Sequence, residues 1–394
     1  MLSVAEAHAR VLALVAPLPA EDVPLAAAAG RVLARDVVAA RAQPPFDASA
    51  MDGYAVRAAD AVTGAALRLI GESRAGGRFA GRVGSGETVR ILTGAPVPEG
   101  ADAVVIQEDV ARDGETIRLA AGASPGDNIR PAGVDFAAGA RLTAPRRLTP
   151  AEVALAASMD APRLAVARRP VVALIPTGDE LVPPGGRRGP DQITASNNYG
   201  LKAMLEAAGA EARLLPIARD TPESLVAAFE LCEGADLVAT LGGASVGDLD
   251  LVRATAEAQG MALDFHKVAM RPGKPLLAGR LGGRALVGLP GNPVSAMVCG
   301  RLFLVPAVER MLGLPGALPP ALPARLASDI GPNGPRAHYM RARVEPTGNG
   351  WRCAAFQRQD SSLLTVLAEA NALLVRPPAD PARRAGDVVE FMWL

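Results

Sequence analysis

The sequence predicts a multidomain protein of α/β and β architecture, built around a central, doubly wound parallel α/β domain. Between residues 170 and 317, short apolar strands alternate with helices, a pattern typical of a parallel sheet. Residues 44–136 hold short strands punctuated by Gly, Asp and Pro, which predicts a β-rich domain. Strand-like segments return in residues 318–394 and predict a small C-terminal β domain.

The N-terminal residues predict an amphipathic helix. Ser3 and Glu6 have capping-box spacing, and apolar residues then recur at helical intervals. We expect residues 1–43 and 137–169 to form one helical linking domain.

A second helix is predicted over residues 148–159. Thr149 is its expected cap, Pro150 occupies its first position and Glu152 lies in its first turn.

Within the β-rich region, "ADAVVIQEDV", "ARDGE" and "TIRLA" predict a hairpin whose turn carries Asp113 and Gly114.

The α/β domain is expected to bind its ligand beyond the carboxyl ends of its strands, as parallel sheets do. Its expected strands are residues 171–175, 236–241 and 285–289, and its expected helices are residues 197–208, 221–232, 249–259 and 293–311. The proline-rich residues 313–324 are expected to form a linker.

Composition excludes several classes of protein. Lys plus Arg equals Asp plus Glu, 41 of each, so no bulk charge would recruit nucleic acid or an acidic membrane. Three cysteines, far apart and odd in number, favour a reducing compartment. No window reaches the roughly 18 apolar residues of a membrane span, and the N-terminus lacks the pattern of a signal peptide. We therefore expect a cytoplasmic protein.

Three of the predicted strands run into conspicuous loops. They are "PTGDEL", "TLGGASVGDLD", with Gly242, Gly243 and Ser245, and "GLPGNPVS", with Pro290, Gly291, Asn292, Pro293 and Ser295. Glycines let backbone amides approach an anion, and helix N-termini favour negative charge. Three such loops at one predicted edge indicate a phosphate-bearing ligand, although neither GxxxxGK[ST] nor GxGxxG is present.

Positive charge comes from a separate segment, "FHKVAMRPGKPLL". Lys267, Arg271 and Lys274 lie there within eight residues, and the Pro272–Gly273 turn is expected to direct Lys274 toward the ligand. A solvated basic edge is the alternative interpretation.

Carboxylates near the same strand ends indicate a magnesium site. The candidates are Asp179, Glu180, Asp220, Asp248 and Asp250, because Mg²⁺ takes oxygen ligands from one or two carboxylates together with phosphates and waters. Asp220 precedes Thr221-Pro222, so a helix-capping role is the alternative for it.

One pattern suggests a different chemistry. Residues 243–247 fit G-x-S-x-G after a strand, the nucleophile elbow of serine hydrolases. His266 and His338 are the only histidines downstream, the first too close in sequence and the second beyond the proline-rich segment, which argues against that reaction.

Several long motifs, in order, resemble the MoeA family, molybdopterin molybdenumtransferases related to the gephyrin E domain. They include "PPFDASAMDGYAV", "ILTGAPVPEGADAVVIQED", "GDNIRPAGVD", "PTGDEL", "GGASVGDLD", "VAMRPGKP", "GLPGNPVSA" and "QDSSLLTVLAEANALLVRPP". The resemblance covers nearly the whole chain. It implies an α/β domain similar to the fold of molybdopterin adenylyltransferase.

The resemblance also implies a reaction. Such enzymes take adenylylated molybdopterin and molybdate, hydrolyse the phosphoanhydride with Mg²⁺, and release AMP and molybdenum cofactor. It implies a homodimer whose clefts combine both subunits, a molybdopterin adenylyltransferase as upstream partner, and molybdoenzymes or their chaperones downstream.

Residue roles follow from the same resemblance as expectations. Asp52 and Thr93 would serve the catalytic centre from the β-rich domain. Glu180, Asp220 and Asp250 would serve it from the α/β domain, binding Mg²⁺ or ordering the attacking water. Residues expected to bind substrate are the loop and cationic residues named above, together with Arg130, Asp135, Arg341 and Ser361.

The chain departs from the family pattern at three places. Ala48 stands where Asn is frequent, Ala244 replaces Val in "GGVSVG", and residues 357–362 replace a "GxGSG" segment. Two alternatives remain at this point: a dimeric scaffold, as in gephyrin, and an adenylylating enzyme that consumes ATP.

Overall fold

The computed structural model describes residues 1–242 and 251–394. Its central domain has a six-stranded sheet with helices on both faces, as the sequence predicts. The first four strands in sheet order are parallel: Glu211–Leu214, Val171–Pro176, Leu237–Leu241 and Arg284–Leu289. Two further strands, Leu277–Leu281 and Ala262–His266, extend this sheet antiparallel, which the predicted all-parallel sheet did not include.

Both faces of the central sheet are buried, which explains its continuous apolar strands. One face packs against the helix Asn197–Ala207 and the helical segment over residues 293–311. The other face packs against the helices Pro222–Glu230 and Leu251–Ala258.

The last helical segment runs without interruption through three parts. They are an α-helix at Pro293–Cys299, a π-helical turn at Gly300–Leu304 and an α-helix at Val305–Met311. Its side chains from Val294 to Leu312 supply much of the larger core.

The first two predicted helices have the expected caps. Val4–Ala13 begins after Ser3 and Pro150–Ser158 begins after Thr149, each with a complete capping box. The first helix packs into the large core of the α/β domain. A four-stranded antiparallel sheet packs near the second helix; its strands, in sheet order, are Ala20–Pro24, Arg163–Ala167, Val32–Leu33 and Arg146–Arg147.

The β-rich region forms another six-stranded sheet. Its strands, in sheet order, are Ala103–Ile106, Gly53–Val56, Glu87–Ile91, Ala66–Ser73, Thr116–Leu119 and Val110–Asp113. The predicted hairpin is formed by the last two of these strands. Ala103–Ile106 does not join that hairpin and pairs with Gly53–Val56 instead.

Three short two-stranded ladders complete the first half of the chain and the edge of the α/β domain. They join Ala48–Ser49 to Ile129–Arg130, Val37–Val38 to Arg141–Leu142, and Leu181–Val182 to Ile193–Thr194.

The C-terminal domain is a closed five-stranded β structure with one short helix, Leu364–Glu369. Its strands, in order around the closure, are Ala337–Thr347, Gly350–Ala355, Leu322–Leu326, Val388–Trp393 and Ala372–Arg376. The strand Met270–Arg271, from the α/β domain, pairs in parallel with Ala337–His338 and ties the two domains together.

Candidate active site at the carboxyl ends of the parallel strands

A cavity of about 640 Å³ lies at the carboxyl ends of the parallel strands, where such sheets bind their ligands. Seven residues predicted for the site line it: Glu180, Asp220, Gly242, Pro290, Gly291, Asn292 and Pro293. Gly243, Ser245, Asp248 and Asp250 lie outside the described residues, as do all five residues of the G-x-S-x-G pattern. The cavity therefore contains most of the predicted loop residues.

Two loops meet closely at the floor of the cavity. Gly242 has φ +112°, and a Cβ there would lie 2.6 Å from the carbonyl oxygen of Thr177, so only glycine fits. A Cβ on Gly291 would lie 3.5 Å from the Gly242 Cα, which shows how near the two loops come. The glycines thus keep backbone rather than side chains at this surface.

The turn before the helix Pro293–Cys299 is tied down by neighbouring elements. The Gly291 carbonyl accepts a hydrogen bond of 2.7 Å from Asn197 Nδ2. The Val294 N–H donates to the Ser361 carbonyl at 3.0 Å. This N–H at the helix start is therefore paired within the chain. Ser295 is buried and does not line the cavity.

Two carboxylates face the cavity. Gly178 has φ +142°, and a Cβ there would lie 2.2 Å from Glu180 Oε2, so the Glu180 carboxylate lies over a position without a side chain. The Asp220 carboxylate accepts a long hydrogen bond of 3.4 Å from the Asp179 N–H, and the Asp220 N–H donates to Asp179 Oδ1 at the same distance. Within the described ranges, no group of three or more His, Cys, Asp and Glu side chains is arranged to hold a metal ion.

The three predicted cations do not line this cavity, although Pro275 beside them does. The Lys267 N–H donates to the Leu276 carbonyl and the Val268 N–H donates to the Lys274 carbonyl, which closes this segment into a tight loop. Arg271 pairs with His338 through the backbone and lies against the C-terminal domain. The contact of Arg271 with a phosphate-bearing ligand stays a prediction.

A cationic cluster lies instead beneath the C-terminal loop. Arg341 is fully buried, and its Nε and Nη1 atoms have no hydrogen-bond partner among the described residues. Its Nη2 donates to the Asp360 carbonyl at 2.9 Å. Burial, followed by the charge of Arg271, lowers the pKa of Arg341, and the charge of Asp360 opposes that shift. Two guanidinium nitrogens of Arg341 are thus buried without a partner among the described residues.

His338 belongs to the same cluster. Burial and the charges of Arg271, Arg341, Arg376 and Arg336 lower the pKa of His338 to about 4, so it is neutral at pH 7. Its Nε2 has no hydrogen-bond partner in the described part of the chain.

The cluster borders the cavity through one loop. The Ser362 hydroxyl donates to Asp360 Oδ1 at 2.7 Å, and Ser362 lines the cavity. Ser361 contributes its carbonyl to Val294, as described above.

Asp52 and Thr93 lie in the β-rich domain and are in direct contact. The backbone N–H and the hydroxyl of Thr93 both donate to Asp52 Oδ1, each at 2.7 Å. These hydrogen bonds lower the pKa of Asp52, with a smaller contribution from the charge of Arg90. Neither residue lines the cavity of its own chain.

Arg130 and Asp135 are exposed in the same domain and do not line the cavity. Arg130 pairs with Ala48, which puts it on the ladder next to the Asp52 turn.

Residues of the site that were not predicted include Asn197, Asn198 and Ser362 at the cavity, and Arg90 beside Asp52. The double asparagine at the start of the predicted helix is the signal in the sequence that points to Asn198.

Three family models match consecutive parts of the chain. The MoeA N-terminal region (domain I and II) matches residues 2–159, a probable molybdopterin binding domain matches residues 173–310, and the MoeA C-terminal region (domain IV) matches residues 323–394.

Curated relatives extend over most of the chain. A molybdopterin molybdenumtransferase of Haemophilus influenzae is 38% identical over 318 residues, covering 79% of this chain and 78% of the relative. The enzyme of the same name from Nostoc sp. is 34% identical, covering 95% of this chain and 88% of the relative.

Two crystal structures of a molybdopterin biosynthesis MoeA protein from Pyrococcus horikoshii match the whole chain. Their TM-scores are 0.86 and 0.85 at 30% and 28% identity, and this chain covers 99% and 100% of theirs. No described helix is long and apolar enough to cross a membrane.

Proposed function

The chain belongs to the MoeA family and functions in molybdenum cofactor biosynthesis as a molybdopterin molybdenumtransferase; from this premise we propose that its substrate is adenylylated molybdopterin. Hydrolysis of the phosphoanhydride, aided by Mg²⁺, accompanies insertion of molybdate and releases AMP and molybdenum cofactor. The cavity at the strand ends carries this proposal. It combines two carboxylates, a glycine–proline turn and a volume suited to a ligand of this size.

Glu180 and Asp220 fit a magnesium ion in this cavity. Both supply hard oxygen ligands, and Mg²⁺ commonly takes one or two carboxylates and completes its shell with substrate phosphates and waters. Asp250 is our third candidate ligand. When bound, Mg²⁺ would neutralise phosphate charge and polarise the anhydride.

The carboxylates at this site also orient the attacking water and accept its proton. The water oxygen forms a new bond to phosphorus while the bridging P–O bond breaks, and AMP leaves. The phosphate end of the pterin lies against the turn formed by Pro290–Pro293, close to the backbone of Gly242 and Gly291.

We assign molybdate to the cationic cluster around Arg341. Molybdate is a tetrahedral dianion, and the unpartnered Nε and Nη1 of Arg341 are donors that an oxyanion satisfies. Arg271 adds positive charge, and the loop of Asp360 and Ser362 connects the cluster to the cavity. Lys267 and Lys274 guide anions toward this region from the adjoining loop.

We further propose that the active form is a homodimer. Asp52 and Thr93 carry a pair of contacts suited to catalysis, yet they do not line the cavity of their own chain. In a homodimer, Asp52 of the partner subunit lies at this cavity, so each cleft contains residues from both subunits. Arg130 and Asp135 of the partner subunit then face the substrate.

We propose that the dimer works in the cytoplasm. A molybdopterin adenylyltransferase supplies its substrate, and molybdoenzymes or their chaperones receive its product.

Anaerobic AMP release tests the proposed reaction. The purified chain is mixed with adenylylated molybdopterin, with and without Mg²⁺ and stoichiometric molybdate. The Asp52→Asn and Glu180→Gln variants are assayed in parallel. We expect AMP release that requires both ions and is lost in both variants. AMP release by wild type that is independent of Mg²⁺ and molybdate would contradict the proposal. Consumption of ATP by the chain alone would contradict it as well.

A further inference from the structure

Asn198 occupies an unusual position at the cavity. It lies in the first turn of the helix Asn197–Ala207, is 5% exposed and lines the cavity. Its amide oxygen has no hydrogen-bond partner among the residues that the structure describes. Buried amides without a partner are uncommon in folded proteins, because each one loses its hydrogen bonds to water without replacement.

The neighbouring polar side chains have partners. Asn197 Nδ2 donates to the Gly291 carbonyl at 2.7 Å, and the Ser196 hydroxyl contacts Asn197 Oδ1 at 3.4 Å. Asn197 therefore fixes the turn Pro290–Pro293, whereas Asn198 lines the cavity without such a partner.

The unpartnered amide oxygen of Asn198 determines which kind of ligand group can form a hydrogen bond with it. An amide oxygen accepts hydrogen bonds and does not donate them. Ionised phosphate offers no N–H or O–H donor, so the phosphate end of a substrate cannot satisfy the Asn198 amide oxygen. A ring N–H or an exocyclic amino group can.

Apolar side chains form part of the cavity lining. Leu181, Ile193 and Leu251 line the cavity with apolar side chains, and Ile193 is 56% exposed, which is high for a large apolar residue. Small-molecule sites combine such apolar walls with a few polar groups that fix the orientation of the ligand.

We propose that the Asn198 amide forms hydrogen bonds with the polar edge of a fused heteroaromatic ring that contacts these apolar side chains. This inference rests on the proposed function and deepens it. Rotation about the terminal torsion of the side chain presents the amide oxygen and the amide nitrogen to the paired donor and acceptor of such an edge. The proposed substrate carries two rings of this chemistry, the pterin and the adenine.

Binding of two simple probes tests the proposal and distinguishes the rings. Wild type, Asn198→Leu and Asn198→Asp are titrated with 6-hydroxymethylpterin, by its fluorescence, and with AMP, by calorimetry. Asn198→Leu keeps a similar volume but removes both hydrogen-bonding groups. Ala203→Ser, at an exposed position on the same helix, is the matched control.

We expect Asn198→Leu to weaken binding of one probe by about 10- to 100-fold and to leave the other unchanged. Asn198→Asp loses the donating nitrogen and is expected to weaken the same probe. The affected probe identifies the ring. The Tm of the unliganded variant should not fall, because the substitution removes no hydrogen bond made by the amide oxygen.

Two results would overturn the inference. If Asn198→Leu binds both probes as wild type does, Asn198 reads neither ring, while the cavity remains the substrate site. If wild type binds neither probe, the cavity is not the ring-binding site, and the proposed function loses its main support as well.

Discussion

Thr93 fixes one oxygen of Asp52 with two hydrogen bonds, from its backbone N–H and from its hydroxyl, each 2.7 Å long. Both hydrogen bonds lower the pKa of Asp52, so the side chain remains an ionised carboxylate at pH values below the ordinary pKa of an aspartate. A carboxylate held in one orientation is suited to accept a proton or to order a water.

Thr93→Ala is expected to shift the acid limb of the pH–rate profile to higher pH. The folded pKa of Asp52 is lowered, so losing the hydroxyl raises it toward its ordinary value, and a larger fraction is protonated and inactive at mildly acidic pH. At neutral pH we expect roughly tenfold lower kcat, because one hydrogen bond to a charged group is lost. An unchanged pH–rate profile would show that Asp52 does not take part in the rate-limiting proton transfer. Thr116→Ala, at an exposed position on a strand, is the control.

Gly178→Ala is expected to displace Glu180 and abolish most activity. The new Cβ would overlap the Glu180 carboxylate, and alanine is strained at φ +142°. We expect kcat to fall by about 100-fold, as small displacements of catalytic groups do. Gly185→Ala is the control for backbone strain alone, since φ is +79° there and no atom would lie within 4 Å of the added Cβ. Equal kcat values for the two variants would contradict a catalytic role for the position of Glu180.

Arg341→Met is expected to remove molybdate binding and leave the fold intact. A buried charge with only part of its hydrogen bonds satisfied contributes little net stability, and an apolar side chain of similar size replaces it without cost. Equilibrium dialysis should show molybdate binding weakened at least about 10-fold, with binding of AMP unchanged. Arg343→Met, on the exposed face of the same strand, is the control, and equal molybdate binding by both variants would exclude this cluster.

Asp380→Asn tests the stability of the C-terminal domain. Asp380 is 5% exposed and pairs with Arg376 and Arg383. Burial raises its pKa, but the hydrogen bonds from Arg383 and Arg376 together lower it by more. The resulting stabilisation is present above the unfolded carboxyl pKa and is lost as pH falls through the lowered folded pKa.

For Asp380→Asn we expect a loss of about 3–5 kcal/mol in the free energy of unfolding by urea. Glu345→Gln, in an exposed pair with Arg343, should cost less than about 1 kcal/mol. Equal costs would show that burial of the Asp380 pair does not stabilise the domain.

The sequence was sufficient for elements whose signals are local. Ser3 with Glu6 and Thr149 with Glu152 formed the predicted capping boxes, because each box needs only four consecutive residues. The loops of the α/β domain followed from the strand ends, since parallel strands bring their carboxyl ends to one edge.

Long-range pairing was not predictable in the same way. The segment of Arg271 joins the C-terminal domain through a strand pairing between residues 67 positions apart, and no local pattern encodes that choice. The burial of Arg341 depends on the closure of the C-terminal strands around it. The unpartnered amide of Asn198 becomes visible only when the helix start faces the cavity.

The most direct test of a cleft shared between subunits is complementation between two inactive variants. Asp52→Asn and Glu180→Gln chains are coexpressed with different tags, and the heterodimer is isolated by sequential affinity steps. Each heterodimer holds one cleft with both residues intact and one with both replaced. We predict about half the AMP release of wild type, because one of the two clefts is functional. A heterodimer as inactive as either parent would place Asp52 and Glu180 in the same subunit's site and contradict the shared cleft.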